Sequence, residues 1–169
     1  MDTYEAILTR RSIRKYTDQK IEGPVIDKLV RAGMYAPSAM NYRPWHFIVI
    51  DKRDILDELF KINSHAEMLK EAQAAIMVCG DRNFEGNEGL LIQNCSAATQ
   101  NILLQAHAEG LGAVWVGIYP FEGLIKGVKS YFKLPKHILP VSIAVLGYPA
   151  ENPVPDERFE AVKLHKNGW

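Results

Sequence analysis

Four polar residues near the start of the chain could bind an anionic group: Arg10, Arg11, Ser12 and Arg14. An arginine side chain can donate two parallel hydrogen bonds to a phosphate, and a serine hydroxyl supplies a further donor. The same cations could instead complement the negative end of the helix predicted just before them. Taken alone, the cluster favours that second interpretation, and the presence of three arginines shifts the balance only slightly.

Two other segments carry residue types that suit a flat heterocycle. Residues 37–41 combine small side chains with an amide, Asn41, ahead of a predicted strand, where they could bind the polar edge of a ring. Residues 110–117 contain three glycines, which let a backbone N–H approach a ligand closely. Each segment also has a simpler interpretation, the first as a turn-rich connection and the second as a helix end followed by a packed strand.

No pattern for metal binding or for a protein nucleophile occurs. The chain has no Gly-x-Ser-x-Gly, no phosphate-binding lysine loop and no His-Glu-x-x-His. None of the five histidines pairs at ligand spacing with another histidine or with a cysteine. Cys79 and Cys95 lie in apolar segments, which predicts inert core thiols. The sequence therefore predicts no metal site and no catalytic nucleophile.

Length and charge limit the class of protein. The chain has 169 residues, enough for one domain, and its hydrophobic fraction of 47% is ordinary for a globular protein. Twenty basic and twenty acidic residues give no net charge, which disfavours nucleic acid binding. No apolar run is long enough to cross a membrane, and the first residues do not resemble a signal peptide. We therefore expect a cytoplasmic protein with neither a membrane nor a nucleic acid as its partner.

The elements that have to position these residues do not follow a strict β-α-β alternation. Periodicity predicts six helices, over residues 2–10, from residue 23 onwards, and over 51–61, 64–72, 90–109 and 120–128. In the second helix, Met34 is expected to face the core. Gly110 and Gly112 are expected to end the helix over 90–109, which is the longest. Apolar runs predict strands over residues 45–50 (buried), 74–79 (central), 114–118 and 139–146. We therefore predict an α+β domain with a sheet of about four strands over residues 1–149. Residues 150–169 are expected to form an extended arm of that domain.

The ordered set of motifs resembles the nitroreductase family of FMN-dependent oxidoreductases. The motifs are Arg-Arg-Ser-x-Arg at residues 10–14, Ala-Pro-Ser-Ala-x-Asn-x-x-Pro-Trp at 36–45 and Gly-Leu-Gly-Ala-Val-Trp-Val-Gly at 110–117. Pro-Val-Ser-Ile-Ala-Val-Leu-Gly-Tyr-Pro at 140–149 and the tail after residue 156 complete the pattern. Each motif is weak alone, but the set covers essentially the whole chain. The resemblance implies a mostly antiparallel central sheet flanked by helices, with an arm that wraps the partner subunit.

Carried over to matching positions, the resemblance implies an FMN site built mainly from the N-terminal motif. Arg10 and Ser12 would bind the FMN phosphate, and Arg11 would lie near the ribityl chain. Ile13 would belong to the same binding segment. Arg14 would reach the N1/O2 edge of the flavin, where a cation stabilises the reduced ring.

Three other segments would contact the same flavin. One would come from the other subunit of a homodimer, through Pro37, Ser38, Ala39 and Asn41. A second would lie along the ring and donate a hydrogen bond to N5, through the backbone of Val116, Gly117 and Ile118, or of Pro120, Phe121, Glu122 and Gly123. In the tail, Arg158 would return to the phosphate, with Lys163 as the alternative. Residues 63–64 match a contact with the pyrimidine side only loosely.

The resemblance also implies an activity. Hydride would pass from NAD(P)H through flavin N5 to a small acceptor, such as a nitroaromatic compound or a quinone. One pocket used in turn by donor and acceptor gives ping-pong kinetics, and no Gly-x-Gly-x-x-Gly loop is present to hold a resident nicotinamide. The alternatives are a non-enzymatic flavin-binding protein for storage or sensing, and a relative that performs reductive dehalogenation or flavin fragmentation. The short segment between Cys79 and Leu90 leaves no room for the cap that larger members carry, which predicts an open pocket.

Overall fold

The computed structural model describes residues 1–169 and has nine main elements. In chain order they are α1 (Thr3–Thr9), α2 (Gly23–Met34), β1 (Trp45–Ile50), α3 (Arg53–Ile62), β2 (Ala74–Asp81), α4 (Glu88–Ala108), β3 (Gly112–Gly117), α5 (Glu122–Phe132) and β4 (Ile138–Gly147). Three short 3₁₀ helices lie at Ala39–Asn41, Glu67–Lys70 and Ala161–Lys163. The helix expected over residues 64–72 is thus a short 3₁₀ helix, and α5 continues past its expected end.

Local residue chemistry sets where several helices begin and end. The Asn87 side chain accepts a hydrogen bond from the Leu90 N–H (3.1 Å) and so caps the start of α4. Pro24 occupies the first turn of α2, where its missing N–H has no helical partner to lose. After α4, Gly110 adopts a φ of 78°, a left-handed conformation that stops the helix. Gly112, expected to help end the same helix, is instead the first residue of β3.

The four strands form one antiparallel sheet in the order β1-β2-β4-β3. This arrangement confirms the predicted α+β class. β2 and β4 lie at the centre, and every residue of both is buried. β1 was expected to be buried, but it is an edge strand on which His46 and Val49 are exposed. An apolar run does not show whether a strand has one neighbour or two, so this error could not be avoided from the sequence.

Helices cover both faces of the sheet. Alternate side chains of β2 point to opposite faces, so Ile76 packs in the core beneath α2 and α4, whereas Met77 packs beneath α3 and α5. On α2, Met34 does not face the core as expected and is 51% exposed. The neighbouring Gly33 faces inward instead, close to the side chain of Ile102 on α4.

A short segment, residues 13–17, crosses the end of the sheet where β3 and β4 meet. Gly112 and Gly147 face each other there in the β3–β4 register. A Cβ atom at Gly112 would lie 2.6 Å from the side chain of Ile13, and one at Gly147 would lie 2.6 Å from the ring of Tyr16. Any larger residue at either position would displace the segment. The two glycines therefore determine how closely residues 13–17 approach the sheet.

Hydrogen bonds hold residues 13–17 in this position. The Ile13 N–H donates to the Ala113 carbonyl (3.0 Å). The buried Tyr16 hydroxyl lies 2.6 Å from the Ile13 carbonyl and 3.2 Å from the Val145 carbonyl, both acceptors. Burial and the nearby Glu151 carboxylate raise the pKa of Tyr16, so its hydroxyl keeps its proton and remains a donor at neutral pH.

Residues 152–169 form an arm on the surface of the domain. Each of them is exposed, and a hydrogen bond from Arg11 Nη2 to the Asp156 carbonyl (3.4 Å) links them to the segment just after α1. The largest exposed apolar side chains of this arm are Val154, Phe159, Val162, Leu164 and Trp169. No helix of the chain is both long and apolar enough to span a bilayer.

We expect Gly112→Ala and Gly147→Ala each to lower the free energy of unfolding by about 1–3 kcal/mol, because the added methyl group overlaps Ile13 or Tyr16. Gly86→Ala is the control, since nothing lies within 4 Å of its Cβ position, and it should change stability by less than about 0.5 kcal/mol. Urea denaturation measures all three variants. Stabilities equal to the control would contradict the close approach.

Candidate functional site

A cavity of about 750 Å³ lies between β3, the start of α5 and the connection that follows α3. Its lining is mostly apolar and consists of Arg14, Ile62, Asn63, His65, Ala66, Met68, Val114, Trp115, Val116, Gly117, Phe121, Gly123 and Leu124. Cavities of this size hold small cofactors and substrates. An apolar wall formed by a strand suits a flat ring better than a flexible or highly charged ligand.

Arg14 is the only arginine or lysine that lines this cavity. The backbone fixes its position, because Glu151 Oε1 accepts hydrogen bonds from the N–H groups of Arg14 (2.5 Å) and Lys15 (3.2 Å). The Arg14 side chain is exposed and forms no ion pair. A guanidinium beside an apolar wall suits a planar group that carries negative charge along one edge.

A second group of cations contains residues from both ends of the chain, Arg10, Arg11 and Arg158. Burial, and then the neighbouring guanidiniums of Arg158 and Arg11, lowers the pKa of Arg10. Burial and the charge of Arg10 also lower the pKa of His107. Neither Arg10 nor Arg158 forms an ion pair within the chain. Because these like charges repel one another, a bound anion would stabilise the cluster.

Arg11 differs from its neighbours because most of its guanidinium already donates hydrogen bonds to backbone carbonyls of the same chain. Arg11 Nη1 donates to the carbonyls of Leu8 (2.7 Å) and Arg10 (2.8 Å), at the C-terminal end of α1. Its Nε is buried and has no acceptor. The interpretation in which these cations complement the negative end of the preceding helix therefore accounts for most contacts of Arg11. The Nε–H remains available to bind a further group.

The two candidate cations of the arm have different surroundings. Arg158 lies close enough to Arg10 to affect its pKa. Lys163 pairs with Glu160 at 2.5 Å, within the arm itself. Of the two, Arg158 is the one that the structure brings to the N-terminal cluster.

The loop after α2 lies apart from the cavity. None of its predicted site residues, Pro37, Ser38, Ala39 and Asn41, lines it. The loop packs on α4 instead, where Asn94 Oδ1 accepts a hydrogen bond from the Ala39 N–H (3.0 Å). Within one chain, the structure therefore does not bring this loop to the N-terminal motif.

The remaining predicted site residues fall into two groups. Those that line the cavity with Arg14 are Val116, Gly117 and Gly123. Those that do not are Ser12, Ile13, Ile118, Pro120 and Glu122. Ile13 and Ile118 are buried in the core, and Ser12 forms a single parallel bridge with Ala113. Pro120 and Glu122 are exposed beside the cavity wall, where their backbone rather than their side chains could contact a ligand.

Much of the cavity lining was not identified from the sequence. Phe121 lines the cavity as part of the predicted segment 120–123. The residues without a predicted role are Ile62, His65, Ala66, Met68, Val114, Trp115 and Leu124. Four of these lie in residues 62–68, for which the loose match at residues 63–64 was the only signal. Of that pair, Asn63 lines the cavity and Ser64 does not.

The two cysteines lie outside this site. Both are free and fully buried. Burial raises the pKa of Cys79 and of Cys95 to about 12, so neither forms a thiolate at neutral pH. The prediction of inert core thiols agrees with this.

Comparison with known proteins identifies relatives along the whole chain. The model of the nitroreductase family matches residues 7–148. A protein of Methanothermobacter thermautotrophicus, provisionally named NADH dehydrogenase/NAD(P)H nitroreductase, is 47% identical over 169 residues. The matched region covers 100% of this chain and 88% of that protein.

Solved structures share the fold. A protein from Parabacteroides distasonis with the same provisional name matches with a TM-score of 0.94 and 44% identity, over 99% of this chain and 98% of that one. A provisionally named nitroreductase from Desulfovibrio desulfuricans, solved in complex with FMN, matches with a TM-score of 0.85 and 32% identity, over 100% and 99% of the two chains. The sheet and its covering helices are thus common to all three proteins.

Proposed function

Because this chain belongs to the nitroreductase family, we propose that it is an FMN-dependent oxidoreductase that takes hydride from NAD(P)H and reduces a small acceptor, such as a nitroaromatic compound or a quinone. One observation carries the proposal. Residues 10–14 connect a cluster of unpaired arginines to an apolar cavity whose mouth holds a further unpaired arginine. An anionic phosphate joined to a flat ring matches that arrangement.

The arginine cluster fits the phosphate of FMN. Arg10 and Arg158 carry charges that no carboxylate of the chain compensates, and Arg11 Nε is a buried donor without an acceptor. A phosphate dianion would satisfy all three groups with charge-assisted hydrogen bonds. Ser12, in the same motif, would add a hydroxyl donor. We assign Arg10, Ser12 and Arg158 to this end of the cofactor.

The apolar cavity fits the flavin ring. Val116 and Gly117 of β3 offer a flat wall, and Gly123 at the start of α5 has open space where a Cβ would be, so backbone N–H groups there can approach a ring. Arg14 would lie at the edge that gains negative charge on reduction. Phe121, 59% exposed, borders the space in which a second flat molecule could stack.

The protein supplies binding and orientation in this proposal. Bound FMN supplies the two-electron redox chemistry at N5. The lining holds no carboxylate and no cysteine, and His65 is its one side chain of a type that serves as a general acid or base, so it contributes no acid–base pair at the ring. Arg14 stabilises charge, and the β3 wall excludes water from one face of the cavity. Donor and acceptor then use the same exposed face in turn, which is why we propose ping-pong kinetics.

We further propose a homodimer in which each site is completed by both chains. The arm exposes five large apolar side chains, and α1 exposes Tyr4, Ile7 and Leu8, more apolar surface than an isolated chain needs. The loop after α2 does not reach the cavity of its own chain, so Ser38, Ala39 and Asn41 are free to face the site of a partner. Both cysteines are free, which suits the reducing cytoplasm in which we place the protein.

The redox proposal is tested by anaerobic titration of the purified, FMN-loaded protein. NADH or NADPH should bleach the flavin absorbance, and a quinone should restore it. Initial rates at several fixed acceptor concentrations should give parallel double-reciprocal lines, because one pocket serves both substrates. Intersecting lines would show a ternary complex, and FMN binding without any NAD(P)H oxidation would favour the non-enzymatic alternative.

Arg10→Ala should weaken FMN binding by about tenfold or more, because a charge-assisted hydrogen bond of about 1.5–3 kcal/mol is lost. Fluorescence titration of FMN into the apoprotein measures the Kd. Lys20→Ala is the control, since it removes one positive charge from an exposed position that forms no ion pair. The assignment fails if both variants bind FMN as tightly as the parent protein does.

Mixed dimers test whether two chains share each site. Arg10→Ala and Asn41→Ala should each lose activity in their own homodimers. A dimer with one chain of each kind has one site with both residues intact, so it should regain about half of the parent activity. Two different affinity tags isolate the mixed species. Activity no higher than that of the Arg10→Ala and Asn41→Ala homodimers would show that each site is built from a single chain.

A further inference from the structure

The loop formed by residues 38–43 has a strained backbone. Met40, Asn41 and Arg43 adopt φ values of 50°, 58° and 49°, in the left-handed region. None of them is glycine, so each of these conformations costs free energy relative to an ordinary one. Such a loop keeps its shape only where surrounding contacts hold it.

Few hydrogen bonds hold loop 38–43, and Asn94 supplies the one that comes from a side chain outside it. Within the loop, Ser38 Oγ accepts a hydrogen bond from the Arg43 N–H (2.9 Å). The Tyr42 N–H donates to the Ala39 carbonyl (3.0 Å). From α4, Asn94 Oδ1 accepts a hydrogen bond from the Ala39 N–H (3.0 Å). Asn94 thus ties the strained loop to the longest helix of the domain.

The Asn94 amide makes this contact at a cost. The side chain is buried, with 5% of its residue surface exposed. Because Oδ1 has to face the Ala39 N–H, Nδ2 points away, and there it is buried with no acceptor. A buried donor without a partner is destabilising, and an apolar side chain at this position would avoid that loss. The benefit that offsets it is control of the loop.

We propose that Asn94 is a positioning residue that holds loop 38–43 in its binding conformation, and that through this loop it acts on the flavin site of the partner subunit. The inference rests on the proposed function, in which Ser38, Ala39 and Asn41 face the partner's FMN. Asn94 itself lies outside the cavity of its own chain. Its loss therefore affects how tightly FMN is held and leaves hydride transfer in the FMN-loaded enzyme little changed.

Two substitutions separate the acceptor from the rest of the side chain. Asn94→Leu keeps the branched shape of four side-chain heavy atoms and removes the acceptor for the Ala39 N–H. Asn94→Asp keeps an acceptor at the same place and replaces the unpaired donor with a second carboxylate oxygen, which adds a buried negative charge and lowers stability. Thr99→Val is the matched control, because Thr99 is also a fully buried polar residue of α4, with hydrogen bonds to Cys95 and Ser142 and none to the loop.

The first measurement is amide hydrogen exchange of Ala39 in the FMN-free dimer. Asn94→Leu should speed this exchange by about tenfold or more, as expected from the loss of one hydrogen bond to a buried acceptor. Asn94→Asp and Thr99→Val should leave it within about twofold of the parent. This measurement does not depend on FMN, so it tests the positioning role even if the proposed function is wrong.

The second measurement is the Kd for FMN, with kcat at saturating FMN as its companion. Asn94→Leu should raise the Kd by about tenfold and change kcat by less than about twofold, whereas Asn94→Asp should restore tight binding. Thr99→Val should lower thermal stability without changing the Kd. If Asn94→Leu does not fold, Asn94→Ala takes its place in both measurements.

Each outcome has a definite meaning. Unchanged Ala39 exchange in Asn94→Leu overturns the positioning role. Faster exchange with an unchanged Kd shows that the loop is held by Asn94 but does not serve the flavin, which overturns the second half of the proposal. Failure of the parent protein to bind FMN at all is a failure of the proposed function, and the exchange result then stands by itself.

Discussion

The close approach of residues 13–17 to Gly112 and Gly147 is the contact that locates the candidate site. With two facing positions that lack side chains, the segment can lie against the ends of β3 and β4 and hydrogen-bond to the sheet. Its position places Arg14 at the mouth of the cavity and leaves the preceding arginines at the end of α1. The sheet thereby fixes the distance between the arginine cluster and an apolar wall, so a ligand that reaches both would need an anionic part and a flat apolar part.

Charge distribution, rather than net charge, gives the site its character. The chain as a whole is neutral, and six of its twenty lysines and arginines pair with nearby carboxylates. Arg10, Arg11 and Arg158 are among those that do not, and partial burial of Arg10 makes the mutual repulsion of these three side chains more costly. A neutral protein therefore contains a local cluster of like charges, at the place where we propose that the cofactor carries its phosphate.

Local patterns predicted the elements well, because the periodicity of α4 and the apolar runs of β2 and β4 are properties of neighbouring residues. What could not be predicted depends on tertiary contacts. The edge position of β1 follows from strand order, and the cavity lining at residues 62–68 comes together only when α3 packs beside β3. Gly112 suggested ligand contact or helix capping, yet its neighbour is Ile13. The motif around Arg10 did not indicate that most of the Arg11 guanidinium binds carbonyl groups at the end of α1.

The facing glycines also have an evolutionary consequence. Positions 13, 16, 112 and 147 are expected to change together as one unit, because a side chain gained at either glycine requires a loss of volume at Ile13 or Tyr16. Descendants that keep the cofactor are therefore constrained to keep this unit nearly unchanged. The cavity rim is free of that coupling: Phe121 and residues 62–68 come from separate segments and can vary one at a time. Divergence in substrate preference is thus expected to accumulate on the rim, while the two glycines, Ile13 and Tyr16 change little.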